Sequence, residues 1–147
     1  MTTKNFAPKT PLLTVDCVAF DRQGGVLLIR RANPPFEGCY ALPGGFVDIG
    51  ESVEDACRRE LLEETGMKAG KLNLIGVYSD PSRDPRGHTA TVAYLTEIDG
   101  KPKASSDAKT AAFVRNWRDL ELAFDHALIL KAAQARLDRR RKRRVMT

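Results

Sequence analysis

Along most of the chain the apolar residues come in short runs divided by turn-forming segments, and only twice does their spacing become helical. Leu12 to Phe20 is apolar and β-branched, Val26 to Ile29 is a second apolar run, and Asp21-Arg22-Gln23-Gly24-Gly25 supplies turn chemistry between them. That pattern predicts a hairpin. Ala32 to Tyr40 holds Pro34, Pro35 and Gly38 and reads as a loop with Phe36 and Tyr40 as its large apolar groups. Leu72 to Tyr78 and His88 to Thr96 read as strands around the turn-rich segment Ser79 to Gly87. After a polar loop from Asp99 to Asp107, Ala111 to Trp117 reads as a last strand. Phe124 to about Arg139 then reads as a helix with Ile129, Leu130, Ala133 and Leu137 on one side.

The other helical stretch lies mid-chain. Ser52 is a good N-cap with Asp55 three residues on, and Thr65-Gly66 closes the segment because glycine takes the left-handed conformation without steric cost. Val53, Ala56 and Cys57 form an apolar stripe that should face the interior. Further along, the same face turns acidic with Glu60, Glu63 and Glu64. Strands mixed with helices at the middle and the end predict an α+β fold layered as an α/β/α sandwich.

Carboxylates at i, i+3 and i+4 repel one another by roughly 0.2–0.5 kcal/mol per pair, and more if partly buried. Such an arc beside a glycine-bounded loop suits a divalent cation, and hard oxygen donors favour Mg²⁺ or Mn²⁺. The residues Gly45, Glu51, Arg59-Glu60-Leu61, Glu63-Glu64 and Gly66-Met67, at their spacing, resemble the Nudix box at every fixed position. Ala41-Leu42-Pro43-Gly44-Gly45 resembles the lead-in common in that family. The resemblance implies a mixed sheet, a loop-helix-loop catalytic motif, and cleavage of nucleoside diphosphates linked to another moiety.

On the same resemblance, Glu60 and Glu64 hold Mg²⁺, the Gly45 carbonyl joins them, and Glu63 is a further ligand or the base beside the attacking water. Arg59 orients a neighbouring carboxylate, and Glu51 is an outer ligand or fixes the loop. An acid often precedes the final strand in related sequences, and Thr110 stands where it is expected here. The general base is therefore open between Glu63, Glu97 and Asp107. Arg30 and Arg31, at the end of the second strand, either grip phosphate oxygens or are solvated strand-end charge. SDPSRDPRGHTATVAYL, from Ser79 to Leu95, and FDHALIL, from Phe124, resemble segments of ADP-ribose pyrophosphatases within the family. That narrower resemblance makes Arg83, Arg86 and His88 substrate-binding candidates. The expected reaction is ADP-ribose to AMP and ribose 5-phosphate. Another nucleotide or dinucleotide pyrophosphohydrolase and a non-catalytic ADP-ribose sensor are the alternatives.

Length and charge bound the rest. The 147 residues suit one domain, expected over residues 12–138 after a flexible lead-in of residues 1–11 and before a basic tail of residues 139–147. The net charge of +5 resides in that tail: six of the 24 cations lie in Arg139 to Arg144, and the other 18 face 19 acids. A terminal basic run reads as a solvated helix end before it reads as a nucleic-acid or membrane site. Cys17, Cys39 and Cys57 show no paired spacing and read as reduced thiols. A cytoplasmic protein with a small nucleotide as partner is expected, a homodimer being the open addition.

Overall fold

The computed structural model describes residues 8–105 and 108–146. β1 (Leu12–Phe20) is the central strand, apolar enough to be buried on both faces. It turns through Asp21–Gly25 into β2 (Val26–Arg31), pairing antiparallel at Phe20 and Val26. The Asp21 carboxylate holds that turn by accepting from the amides of Gln23 and Gly25 at 3.0 and 2.8 Å. Two short strands, β3 (Tyr40–Ala41) and β4 (Gly44–Phe46), then pair antiparallel with β2 and β1. The glycine- and proline-rich sequence there shows no alternation and reads as loop.

Helix α1 (Val53–Thr65) follows with the expected caps. Ser52 Oγ accepts from the Asp55 amide at 3.1 Å, and Gly66, at φ 70°, returns its amide to the Leu62 carbonyl. β5 (Asn73–Tyr78) and β6 (Thr89–Glu97) form an antiparallel pair, and β6 runs parallel to β1 from Leu12↔Thr89 to Phe20↔Glu97. The order β3-β2-β1-β6-β5, with β7 (Ala108–Val114) antiparallel along β2, gives one mixed sheet. β7 begins three residues earlier than expected, and Trp117 lies in a 3₁₀ turn beyond it.

Alternation along β1 divides the core. Val15, Cys17 and Ala19 pack with Ala56, Cys57 and Leu61 of α1. Val18 and Phe20 pack on the other face with Ile129, Leu130, Ala133 and Leu137 of α2 (His126–Met146). The α/β/α layering is thus present. Helix α2 does not stop near Arg139 but carries the basic run as regular helix to Met146. Arg144 and Arg140 reach Glu97 at 2.7 and 3.8 Å, and Arg141 donates to the Asp21 carbonyl at 3.1 Å. Arg140, Arg141 and Arg144, from the run expected as a solvated helix end, tie that end to β6 and the β1–β2 turn.

Candidate active site

The box places its side chains because α1 leaves the sheet at the glycine pair of β4. A Cβ on Gly44 would lie 2.2 Å from the Val15 carbonyl, and one on Gly45 would lie 2.5 Å from Glu60 Oε1. Only glycine lets the strand come this close to the acidic face of α1. The Gly44 amide donates to Glu64 Oε1 at 2.8 Å, and the carboxyl groups of Glu60 and Glu64 are close enough for each to feel the other's charge. Burial, with help from the charge of Glu60, pushes Glu64 up to about 8 against the Gly44 amide bond. Burial also raises Glu60, and its bond from Arg59 works the other way. Both shifts favour the protonated forms of the pair.

Arg59 is the hub of the remaining acids. Its Nε and Nη2 donate to the two Glu51 oxygens at 2.7 and 2.9 Å, and Nη1 donates to Glu60 at 2.9 Å and Glu63 at 3.2 Å. Nη2 also reaches the Phe46 carbonyl at 3.0 Å, fixing β4 to the helix. The pairing holds Glu51 below the usual carboxylate range. Glu63 is turned outward, with its side chain 51% exposed.

Among the described residues, no three His, Cys, Asp or Glu side chains gather into a ready metal cluster. The donor set nevertheless fits a hard divalent cation. Glu60 and Glu64 bring carboxylate oxygens against the glycine strand, where a bound cation would offset their repulsion. Mg²⁺ needs few protein carboxylates, since water and substrate phosphate complete its shell.

From this corner a cleft opens in three contiguous recesses of about 70, 350 and 450 Å³, all lined by Phe46 and Arg86. Arg31 lines the first two, and Glu64 does as well. Arg30, its strand neighbour, emerges on the other side, donates to the Gly38 carbonyl at 3.1 Å and lies over Tyr40. Alternation along β2 thus separates the two arginines that the sequence leaves undivided. Arg86 pairs with Asp84 at 2.9 Å and keeps about half its side chain exposed. His88 stands in the outermost recess, its Nε2 2.9 Å from the Ser79 carbonyl.

Two expectations change, and a third falls on residues not described. Arg83 is 4% exposed and forms a bidentate pair with Asp125 at 2.9 and 2.7 Å, with a third bond to Thr89 at 2.7 Å. It is part of the cleft floor, its guanidinium taken up by protein partners. Glu97 is removed as a general base, because it sits at the end of β6 opposite Thr89, roughly 26 Å along the strand. Asp107 lies outside the described residues.

Beneath the cleft is a buried polar set that the sequence reading missed. Asp16 Oδ2 accepts from Thr91 at 2.7 Å, and Oδ1 lies 3.2 Å from His126 Nε2. His126 Nδ1 in turn accepts from the Leu42 amide at 3.0 Å. That amide fixes the tautomer, leaving Nε2 to donate to Asp16. The available signal was a lone acid inside the apolar run LLTVDCVAF.

These features can be set beside known proteins. The NUDIX domain model matches residues 10–140. An ADP-ribose pyrophosphatase of Methanocaldococcus jannaschii is 48% identical over 122 residues, 82% of this chain and 72% of that protein. The ADPR responsive transcriptional repressor NtrR of Acinetobacter baylyi is 36% identical over 138 residues, 88% of this chain but 55% of the repressor. The crystal structure of the NUDIX domain of Shewanella oneidensis NrtR complexed with ADP ribose superposes with a TM-score of 0.84 at 33% identity, covering 90% of this chain and 94% of that one. With the box glutamates gathered on α1 against the glycine strand and the domain model spanning the sheet and both helices, the chain belongs to the Nudix family.

Proposed function

We propose that this protein is a cytoplasmic Mg²⁺-dependent pyrophosphohydrolase that cleaves ADP-ribose to AMP and ribose 5-phosphate. The observation that carries the reading is one cleft lined by Glu60 and Glu64 together with Arg31 and Arg86. The similarity to the Methanocaldococcus jannaschii ADP-ribose pyrophosphatase supports the choice of substrate. Opposite charges lining one cleft suit a diphosphate, with the arginines taking its oxygens directly. Bound Mg²⁺ would supply a Lewis acid that offsets charge on the phosphoryl oxygens and acidifies a bound water.

The chain's own part is positioning and proton handling. Hydrolysis breaks one bridging P–O bond, adds hydroxide to phosphorus and returns a proton to the leaving phosphate. Glu60 and Glu64 would hold the cation, oriented by Arg59 and the Gly44 amide. Glu63, exposed and bonded by Arg59, would be the base that accepts the proton of the attacking water on this reading. Arg31 and Arg86 bind the ground state and transition state alike, so Arg86→Ala should raise KM more than it lowers kcat.

The test is kcat/KM for ADP-ribose against NADH, a dinucleoside polyphosphate and an oxidised dNTP. ADP-ribose should lead. A tenfold advantage for any competitor, about 1.4 kcal/mol, would overturn the substrate and leave a broader Nudix hydrolase. Similarity to the repressor favours a second reading, an ADP-ribose sensor without turnover. Tight ADP-ribose binding with no AMP formed at saturating Mg²⁺ would select it.

A further inference from the structure

Phe124 is a non-glycine residue at φ 52°, in the left-handed region that aromatic residues rarely enter. Its backbone is pinned on both sides. The Ala123 amide donates to the Tyr40 carbonyl at 2.8 Å, Asp125 holds Arg83, and His126 is fixed by Leu42 and Asp16. Strain of this kind persists where the surroundings over-determine it, and it concentrates at ligand-handling positions. Here it puts an aromatic ring on the cleft wall. The Arg31 guanidinium lies 5.1 Å from the ring centroid and that of Arg86 5.7 Å. Arg86 is also 5.6 Å from the Phe46 ring, and Phe36 meets Phe124 edge to face at 4.9 Å.

Arginines on a rim ordinarily sample many rotamers, and two neighbouring cations repel. A ring face offsets both effects by attracting each guanidinium at these distances. The main-chain and carboxylate bonds complete the restraint. Arg31 Nε donates to the Pro35 carbonyl at 2.6 Å, and Arg86 Nε and Nη2 donate to Asp84 at 3.1 and 2.9 Å. Nη1 of Arg86 carries no bond among the described residues.

We propose that Phe124 is a positioning residue that holds Arg31 and Arg86 side by side as one preformed clamp for the diphosphate of the substrate. The proposal rests on the reading of the cleft as a diphosphate site, not on ADP-ribose as the particular substrate. A preformed clamp loses less entropy on binding, so its removal is felt in affinity and not in the chemical step.

The experiment is a double-mutant cycle read by ADP binding in calorimetry, with turnover of the best substrate measured in parallel. Phe124→Leu removes the ring face, and Phe124→Asn removes it while tolerating the left-handed backbone. Both should weaken ADP about tenfold and raise KM by a similar factor, with kcat within about threefold. Phe124→Tyr should keep near-wild-type affinity. In an Arg31→Ala, Arg86→Ala background, Phe124→Asn should change ADP affinity by less than about twofold. An equal loss in that background would show that the ring acts on the ligand or the fold directly and would overturn the proposal. Wild-type affinity in Phe124→Asn, or no ADP binding by the wild type, would overturn it too. Coupling without ADP-ribose turnover sinks the substrate and spares the clamp, and ADP-ribose turnover without coupling does the reverse.

Discussion

At Glu64 a carboxyl group is 7% exposed and feels the charge of Glu60, so its protonation is tied to folding. Its value in the fold, about 8, lies above the ordinary 4.5. For an acid shifted this way, the stabilising contribution is full below the unfolded value and is lost as pH rises through the folded one. Metal-free protein should therefore lose thermal stability between about pH 4.5 and pH 8. Saturating Mg²⁺ should remove that slope because the ligands bind it deprotonated. Thermal melts with and without metal check this, and an unchanged slope would separate Glu64 from the metal. Glu64→Gln should flatten the metal-free profile and lower kcat on the order of a hundredfold, about 2.7 kcal/mol. Rates near wild type for this variant and for Glu60→Gln would remove the metal site from α1. The glutamates were legible because helical spacing alone puts them on one face. Arg83 and Arg86 were not separable, since the partners that bury Arg83 are Asp125, 42 residues away, and Thr89. Asp16 was hidden likewise: a strand pattern marks its face but not His126, which meets it from α2.

At the scale of elements, local chemistry decided what could be foreseen. Both caps of α1 lie within four residues of the groups they satisfy, and both stand where the sequence put them. Ser52→Ala should cost about 1 kcal/mol by freeing the Asp55 amide, and Gly66→Ala about the same by forcing a Cβ into the left-handed region. Denaturant midpoints with unchanged slopes would check both, and no loss in either would mean that packing fixes the helix ends. β3 and β4 had no local signal. They exist because longer strands supply their partners, with Val15↔Gly45 and Ile29↔Ala41 in register. The nine-residue parallel pairing of β1 with β6 is similarly non-local, linking Leu12 to Thr89 across most of the domain.

Across the whole molecule the cleft and the end of α2 occupy opposite ends of the β1–β6 pair. Thr89 borders the cleft, whereas Glu97 binds Arg140 and Arg144 roughly 26 Å away along β6. Arg136 adds bonds to the carbonyls of Leu74 and Ile75, so α2 is strapped to β5 as well as β6. A composition count sees the six cations but not the acid and carbonyl that receive Arg140, Arg141 and Arg144, which is why the run read as a solvated helix end. Removing residues 140–147 should therefore destabilise without disarming. The strap's ion pairs are partly exposed and contribute little each, so the loss should be roughly 1–2 kcal/mol, some 3–6 °C in Tm. Nucleotide turnover should stay within about threefold, under roughly 0.7 kcal/mol. Glu97→Gln should give a smaller drop, about 1 kcal/mol or less, that disappears at high salt because screening already weakens the pair. Melts at low and high salt beside steady-state rates separate the two effects. A tenfold fall in kcat/KM with the fold intact would mean that the strap communicates with the cleft through β6, and the two ends would have to be treated as one cooperative unit.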